Sequence, residues 1–221
     1  MNKSIVIAGG SGLVGRETLN ALLKSKNVDS VYSLSRRELN IEHEKLHQII
    51  DMDLNFAQSA FASAPPEVGV IALGSTIKKA GSKENLRSID VDLVVSTAKK
   101  LNGLKVKHLI VVSCLGADIK AHSHYLRCKG EMEKKVESLG FEKVTFLHPG
   151  PLAGKREENR FDEKVLQNVM KFIKPLMFGG MKKYIPIHAS FIAQSILMQS
   201  IQPSSKKIER LDSLAMMTLT T

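Results

Sequence analysis

From its first residues the chain alternates short apolar runs with amphipathic stretches. Ile5–Ala8, Val31–Leu34, Leu46–Ile50, Val68–Leu73, Leu109–Val112 and Val144–Leu147 are four to six residues long, and most are rich in β-branched side chains. Polar or glycine-containing segments bound each of them, which predicts buried strands. Between the runs, Leu13–Lys24 places Leu19, Leu22 and Leu23 on one helical face, and Glu84–Leu101 does the same with Ile89, Leu93 and Val94. Tyr125–Leu139 continues the series with Met132 and Val136.

Strand–helix–strand alternation at this spacing implies parallel strands joined by right-handed crossovers. The predicted fold is α/β, a doubly wound, mostly parallel sheet of the Rossmann-like NAD(P)-binding type. The alternation ends at Pro149-Gly150-Pro151. Residues 1–221 are therefore expected to form a single domain, with a core over 1–150 and a small helical cap on the substrate side over 151–221. The cap is predicted to hold helices at Phe161–Phe172 and His188–Ser200 and a last strand near Ile208–Leu211.

Composition narrows the partners. Lys and Arg number 32 against 22 Asp and Glu, a net charge of +10 that suits an anionic ligand. Aromatics are 5% of residues and Trp is absent, so a base-stacking nucleic-acid surface is not expected. Cys114 and Cys128 are the only thiols, too few for a disulfide framework, and are expected to be free. The apolar run near the amino terminus stops at Gly9, too short for a signal-peptide core, and no stretch approaches the roughly 20 apolar residues that span a bilayer. The expectation is a soluble cytoplasmic protein with no membrane contact.

The first predicted strand runs into Gly9-Gly10-Ser11-Gly12-Leu13-Val14-Gly15 and then into a helix. Gly9, Gly12 and Gly15 have the spacing and placement of a dinucleotide turn. The first glycine turns the chain, the second admits a pyrophosphate and the third lets helix and strand approach. The amides and positive dipole end of the helix then hold the anion. About 20 positions further on, where an acid would accept from the ribose of NAD, stands Ser33-Leu34-Ser35-Arg36-Arg37. Guanidinium groups there suit a 2′-phosphate, so Arg36 and Arg37 favour NADP(H) over NAD(H). A solvated basic loop is the alternative.

Tyr125 and Lys129 share a helical face at i, i+4, and Ser113 stands twelve residues before the tyrosine where the fifth strand ends. A carbonyl receiving hydride needs a proton donor beside a second hydrogen-bond donor. Tyr125 fits the first role, Ser113 the second, and the Lys129 charge would ease ionisation of the phenol. His122-Ser123-His124 invites a metal reading, but histidines at i, i+2 diverge on a helix and no ligand-spaced partner follows. No metal site is expected. Met170, Met177 and Met181 suit packing of the cap, and Lys182-Lys183 and Lys206-Lys207 a solvated surface.

With these residues the sequence resembles the short-chain dehydrogenase/reductase family. It is most like the atypical branch that contains the HIV Tat-interactive protein, an oxidoreductase. The glycine turn and the Ser113, Tyr125 and Lys129 set carry the likeness, with the strings Leu34-Ser35-Arg36-Arg37, Leu73-Gly74-Ser75-Thr76, Lys79-Ala80-Gly81, Gly116-Ala117-Asp118 and Pro149-Gly150. It spans nearly the whole chain and weakens after about residue 160. The resemblance implies that Ser11, Leu13 and Val14 line the pyrophosphate turn and that Arg36 and Arg37 meet the 2′-phosphate. It further implies that Asp53 and Leu54 lie near the adenine, and Leu73, Gly74 and Ser75 beside the adenosine. Lys129 would bond the nicotinamide ribose, and Pro149 and Gly150 would back the nicotinamide. Two departures stand out: the family's catalytic asparagine has no assignable counterpart, and His148 precedes Pro149 where many relatives have arginine.

The resulting expectation is an NADP(H)-dependent oxidoreductase acting on a small carbonyl or alcohol. A non-catalytic NADP(H)-binding sensor working through protein partners is the alternative. A sugar-nucleotide epimerase ranks last, because the region after Pro151 is short. The helices at Glu84–Leu101 and Tyr125–Leu139 could form a homodimer face or simply cover the sheet.

Overall fold

The computed structural model describes residues 3–61, 65–153 and 185–220. Its first unit is β1 (Lys3–Ala8), α1 (Leu13–Lys24) and β2 (Val28–Ser35), followed by β3 (Leu46–Ile50) and β4 (Val68–Ile71). A short α2 (Ile77–Ala80) leads to α3 (Lys83–Arg87) and α4 (Val94–Gly103), joined by a π turn over Ser88–Leu93. Then come β5 (His108–Val112), α5 (His124–Glu137), β6 (Lys143–His148) and the two-residue strands β7 (Leu152–Ala153) and β8 (Ile187–His188). The chain continues through α6 (Ala189–Ile201), β9 (Ile208–Asp212) and α7 (Ser213–Leu219).

Seven strands form one sheet in the order β3-β2-β1-β4-β5-β6-β9, every pair parallel, while β7 and β8 pair separately. Register explains why the strands read as continuous apolar runs. Ile5 and Ile7 join one buried cluster with Leu19, Leu22, Val70, Ile110 and Ile192. Val6 and Ala8 point the other way, into a second cluster with Ile71, Val94, Val111, Met132 and Phe146. A parallel strand covered on both faces has no polar side to show. Each fully buried aliphatic side chain in these layers contributes about 1.5–3 kcal/mol.

Three expectations change in detail. β4 ends at Ile71, two residues before the predicted Leu73; Ala72 still donates its amide to Ala8 O, and the chain then leaves the sheet. The predicted Glu84–Leu101 helix is interrupted by the π turn. Its buried stripe is Leu86, Asp90, Val91, Val94, Ala98 and Leu101, with Ile89 and Leu93 only partly covered. The extra residue of a π turn shifts which positions face inward. The last strand is β9, which joins the main sheet beside β6, and α6 packs along α1. The described residues after 185 therefore return to the sheet. The predicted Phe161–Phe172 helix lies outside the described residues.

The topology sets where a ligand goes. From β3, at one edge, the chain crosses back to β4 on the far side of β1, so connections leave β1 and β4 in opposite directions. The crevice outside the carboxyl ends of strands at such a switch point is where open α/β sheets bind ligands.

Candidate active site

The glycine turn sits in that crevice. Gly9 has φ +98°, and a Cβ on it would lie 2.6 Å from Ala72 O, at the end of β4. A Cβ on Gly15 would fall 2.0 Å from Gly9 O, so only glycine lets α1 start this close to β1. Gly12 differs: its Cβ would meet Gly9 O at an ordinary 3.4 Å. The fold itself does not demand glycine at 12, which leaves the space above it for a ligand. Gly12 caps α1 with no side-chain hydrogen bond, and the first turn carries no acid. The orphan amides and positive end of the helix thus face the crevice without a competing anion. Ser11 and Gly12 are exposed, Leu13 half-buried and Val14 buried. The residues present fit a pyrophosphate.

Arg36 and Arg37 are exposed just past the end of β2, at the same edge. After β3, Asp51 organises the chain: its Oδ1 accepts from the amides of Asp53 (2.9 Å) and Asn55 (2.8 Å). These bonds hold the Asp51 carboxyl below the usual range. Leu54 adopts φ +52° inside this turn and is buried, while Asp53 stays exposed. Leu73, Gly74 and Ser75 follow β4 into the crevice, with Leu73 partly buried against the core. Pro149 and Gly150 extend β6: Leu115 donates to Pro149 O at 3.0 Å, and the Gly150 amide donates to Ser213 Oγ at 2.8 Å.

Tyr125 and Lys129 lie one above the other on α5, with Nζ 5.9 Å from the centre of the phenol ring. Gly130 holds this helix against the loop after β5; a Cβ there would come within 2.4 Å of the Asp118–Ile119 backbone. A helical glycine costs about 1 kcal/mol relative to alanine, and here it is required by close approach. The Lys129 side chain is only 3% exposed and its Nζ lies 2.6 Å from Oδ1 of Asp90, which is fully buried on the π turn. No motif had pointed to Asp90. The available signal was an acid at i+4 from Leu86 and i−4 from Val94, in the middle of an apolar stripe.

Ser113 is at the same edge but is otherwise engaged. Its hydroxyl donates to Oε1 of Glu133, a carboxylate one turn beyond Lys129 on α5. Glu133 is buried and also meets His148 Nε2 (2.8 Å) and Arg210 Nε (3.2 Å). His148, which stands before Pro149, and Arg210 from β9 thus meet on the same carboxylate. The side chain beside the Tyr125 phenol is that of Cys114, which shares a hydrogen bond with it; burial pushes this thiol up to about 11. Cys114 and Cys128 are both free. His124 bonds Lys83 O and Cys128 Sγ, and no cluster able to hold a metal occurs among the described residues.

Comparison with known proteins settles the lineage. The model of one family, HIM1, matches residues 65–179, more than half of the chain and all of β4 through α5 and β6. The chain belongs to the HIM1 family. This HIM1 protein is 31% identical to Protein HTATIP2 of Rattus norvegicus over 222 residues, covering 99% of this chain and 89% of the rat protein. It is 35% identical to the mitochondrial protein fmp52 of Emericella nidulans over 168 residues, 73% of this chain and 72% of that one. It thus belongs with the HTATIP2-like proteins. Among solved structures, MoeE5 in complex with UDP-glucuronic acid and NAD superposes with TM-score 0.71 at 13% identity, covering 95% of this chain and 76% of that one. A putative NAD-dependent epimerase/dehydratase from Bacillus halodurans gives 0.69 at 19% identity and 99% of both chains. At such identities the likeness shows the fold, the NAD(P)-binding Rossmann type.

The expected cytoplasmic location is corrected by the same relatives. The fungal proteins, from Emericella nidulans, Meyerozyma guilliermondii, Candida albicans and Aspergillus oryzae among others, are named mitochondrial. The physical reason is simple. Among the described residues no helix is long and apolar enough to cross a membrane, but apolar run length carries no information about an organelle address.

Proposed function

We propose that this HIM1 protein is an NADP(H)-dependent oxidoreductase that interconverts a small carbonyl compound and its alcohol. One observation carries the reading. Tyr125 and a buried Lys129 stack on one face of α5, at the sheet edge that also holds an uncapped glycine turn. Arg36 and Arg37, exposed beyond β2, support the 2′-phosphorylated coenzyme.

A nicotinamide bound here supplies the hydride chemistry. The chain's own task is to orient the partners and move a proton. In reduction the Tyr125 hydroxyl donates its proton to the carbonyl oxygen; in oxidation the phenolate takes a proton from the alcohol. Lys129 holds positive charge near the phenol, favouring the ionised form that reduction leaves behind. Ser113 has one O–H, and it donates to Glu133. To steady the carbonyl oxygen as the second donor, Ser113 must turn away from that carboxylate when substrate arrives. Residues 1–150 supply this machinery, and the segment after 151 is assigned the substrate side.

The test is Tyr125→Phe. Turnover of NADPH against a panel of aldehydes, ketones and quinones should fall at least about a hundredfold, the lower end of the range for losing a general acid, with NADPH affinity nearly unchanged. Equal turnover in the variant sinks the assignment. A second reading, an NADP(H)-binding sensor without turnover, is favoured by the engagement of Ser113 with Glu133. Saturable coenzyme binding by the wild-type protein with no turnover on any member of the panel selects it.

A further inference from the structure

We infer that Asp90 is a positioning residue of the reduction site, tying the Lys129 ammonium to the end of β4 and offsetting its charge where it faces Tyr125. The inference rests on the oxidoreductase reading above and adds to it a control on the proton donor. The geometry is specific. Asp90 Oδ1 meets Nζ at 2.6 Å, and Oδ2 accepts the Ser75 amide at 3.1 Å. Lys129 is the one partner of Oδ1 among the described residues. Gly74 lets the strand-end loop close over the pair: a Cβ there would stand 3.1 Å from Oδ1 and 3.4 Å from Nζ. The π turn brings Asp90 to this point, and such turns recur at functional sites.

Stability is a poor explanation for the pair. Taking two charges out of water costs about as much as their attraction returns, so a buried ion pair is weak evidence of a stabilising role. Its position explains it better. A free ammonium beside a phenol lowers the phenol's titration by roughly 1–3 units, and a carboxylate at 2.6 Å from that ammonium reduces the effect. Among the described residues, Asp90 faces Lys129 from the π turn, Cys114 from the end of β5 and Tyr125 from α5. Glu133 is already held by Ser113, His148 and Arg210. Burial first and the Asp90 charge second push up the thiol of Cys128, which immediately precedes Lys129 on α5.

The experiment follows ionisation of the phenol by tyrosinate absorbance, as the difference between each protein and its Tyr125→Phe counterpart. No turnover is needed, so failure of the oxidoreductase reading and failure of this inference are separable. Asp90→Asn keeps the side-chain shape and removes the charge. The Tyr125 titration is expected to move to lower pH by roughly one unit, and the alkaline limb of any carbonyl-reduction profile should move with it. In a Lys129→Met background the same substitution should move the titration by much less, since a fully buried carboxylate without its ammonium takes up a proton and has no charge left to remove. Asp90→Ser, smaller and equally uncharged, should give the same shift if Asp90→Asn does not fold. A titration unmoved or moved to higher pH overturns the inference, even if thermal stability falls. An equal shift in both backgrounds overturns it too.

Discussion

The two ends of the crevice are built in opposite ways. At the β1–α1 turn the ligand-facing surface is backbone: glycines, free helix amides and no acid in the first turn. At the β5–α5 end almost every polar side chain is committed to another. Lys129 is paired with Asp90, Ser113 with Glu133, Glu133 with His148 and Arg210, and Tyr125 with Cys114. The first end is sensitive above all to volume. The second is sensitive to charge, because buried partners left alone are expensive. A dinucleotide lying across both meets a surface that is ready at one end and must be rearranged at the other.

Adding one methyl group at two glycines breaks the comparison most severely. Gly15→Ala pushes a Cβ into Gly9 O and should destabilise the fold by about 1–3 kcal/mol while abolishing coenzyme binding. Gly12→Ala finds ordinary contact at 3.4 Å, so denaturant midpoints should stay close to wild type while coenzyme titrations show binding lost. If Gly12→Ala binds NADPH normally, the pyrophosphate is not seated over that residue.

A charge change beside the glycine turn is next in size. Replacing Arg36 and Arg37 together by alanine should weaken NADPH by about 10- to 100-fold, from the loss of charge-assisted hydrogen bonds. NADH affinity should not move. Parallel loss of both coenzymes would point to a general electrostatic role for this loop.

The smallest effect lies at the amino end of β5, away from the crevice, and serves as a control. His108 opens β5, the strand that ends beside Ser113, and its Nε2 pairs with Thr145 Oγ1 at 2.9 Å. Burial, followed by the nearby Lys143 charge, pushes its pKa from 6.5 down to about 3. The unfolded chain therefore takes up this proton below about pH 6.5, while the folded chain resists it down to about 3. Stability is unaffected above that window and falls as pH drops through it, by at most about 1.4 kcal/mol per pH unit. His108→Gln should flatten that slope in acid denaturation, with coenzyme binding unchanged. An unaltered slope would mean that the histidine takes up its proton in the folded state as readily as in the unfolded one.

Local features were legible because they depend on neighbours in sequence. Alternating runs such as Ile5–Ala8 and Leu46–Ile50 declare strands through side-chain period and branching. Gly9, Gly12 and Gly15 declare the turn through spacing between a strand and a helix, and Tyr125 and Lys129 share a face by helical geometry alone. Asp51 was passed over for Asp53, because the residue that bends the chain and the residue it displays are two apart and chemically alike. Asp90 was hidden because, although it shares a helical face with Leu86 and Val94, no neighbour in sequence reveals Lys129, 39 positions on, as its partner.

By itself, then, the order of residues determined the strand–helix alternation, the glycine turn and the Tyr125–Lys129 face, each set by interactions within a few positions. Only the tertiary structure decided what those groups touch. It brought Asp90 to Lys129, Glu133 to Ser113, His148 and Arg210, and β9 to β6, with the side-chain partners 15 to 77 positions apart. Pairings over that distance follow from how the two buried layers close on the sheet, and a local pattern carries no record of which distant side chain will arrive opposite.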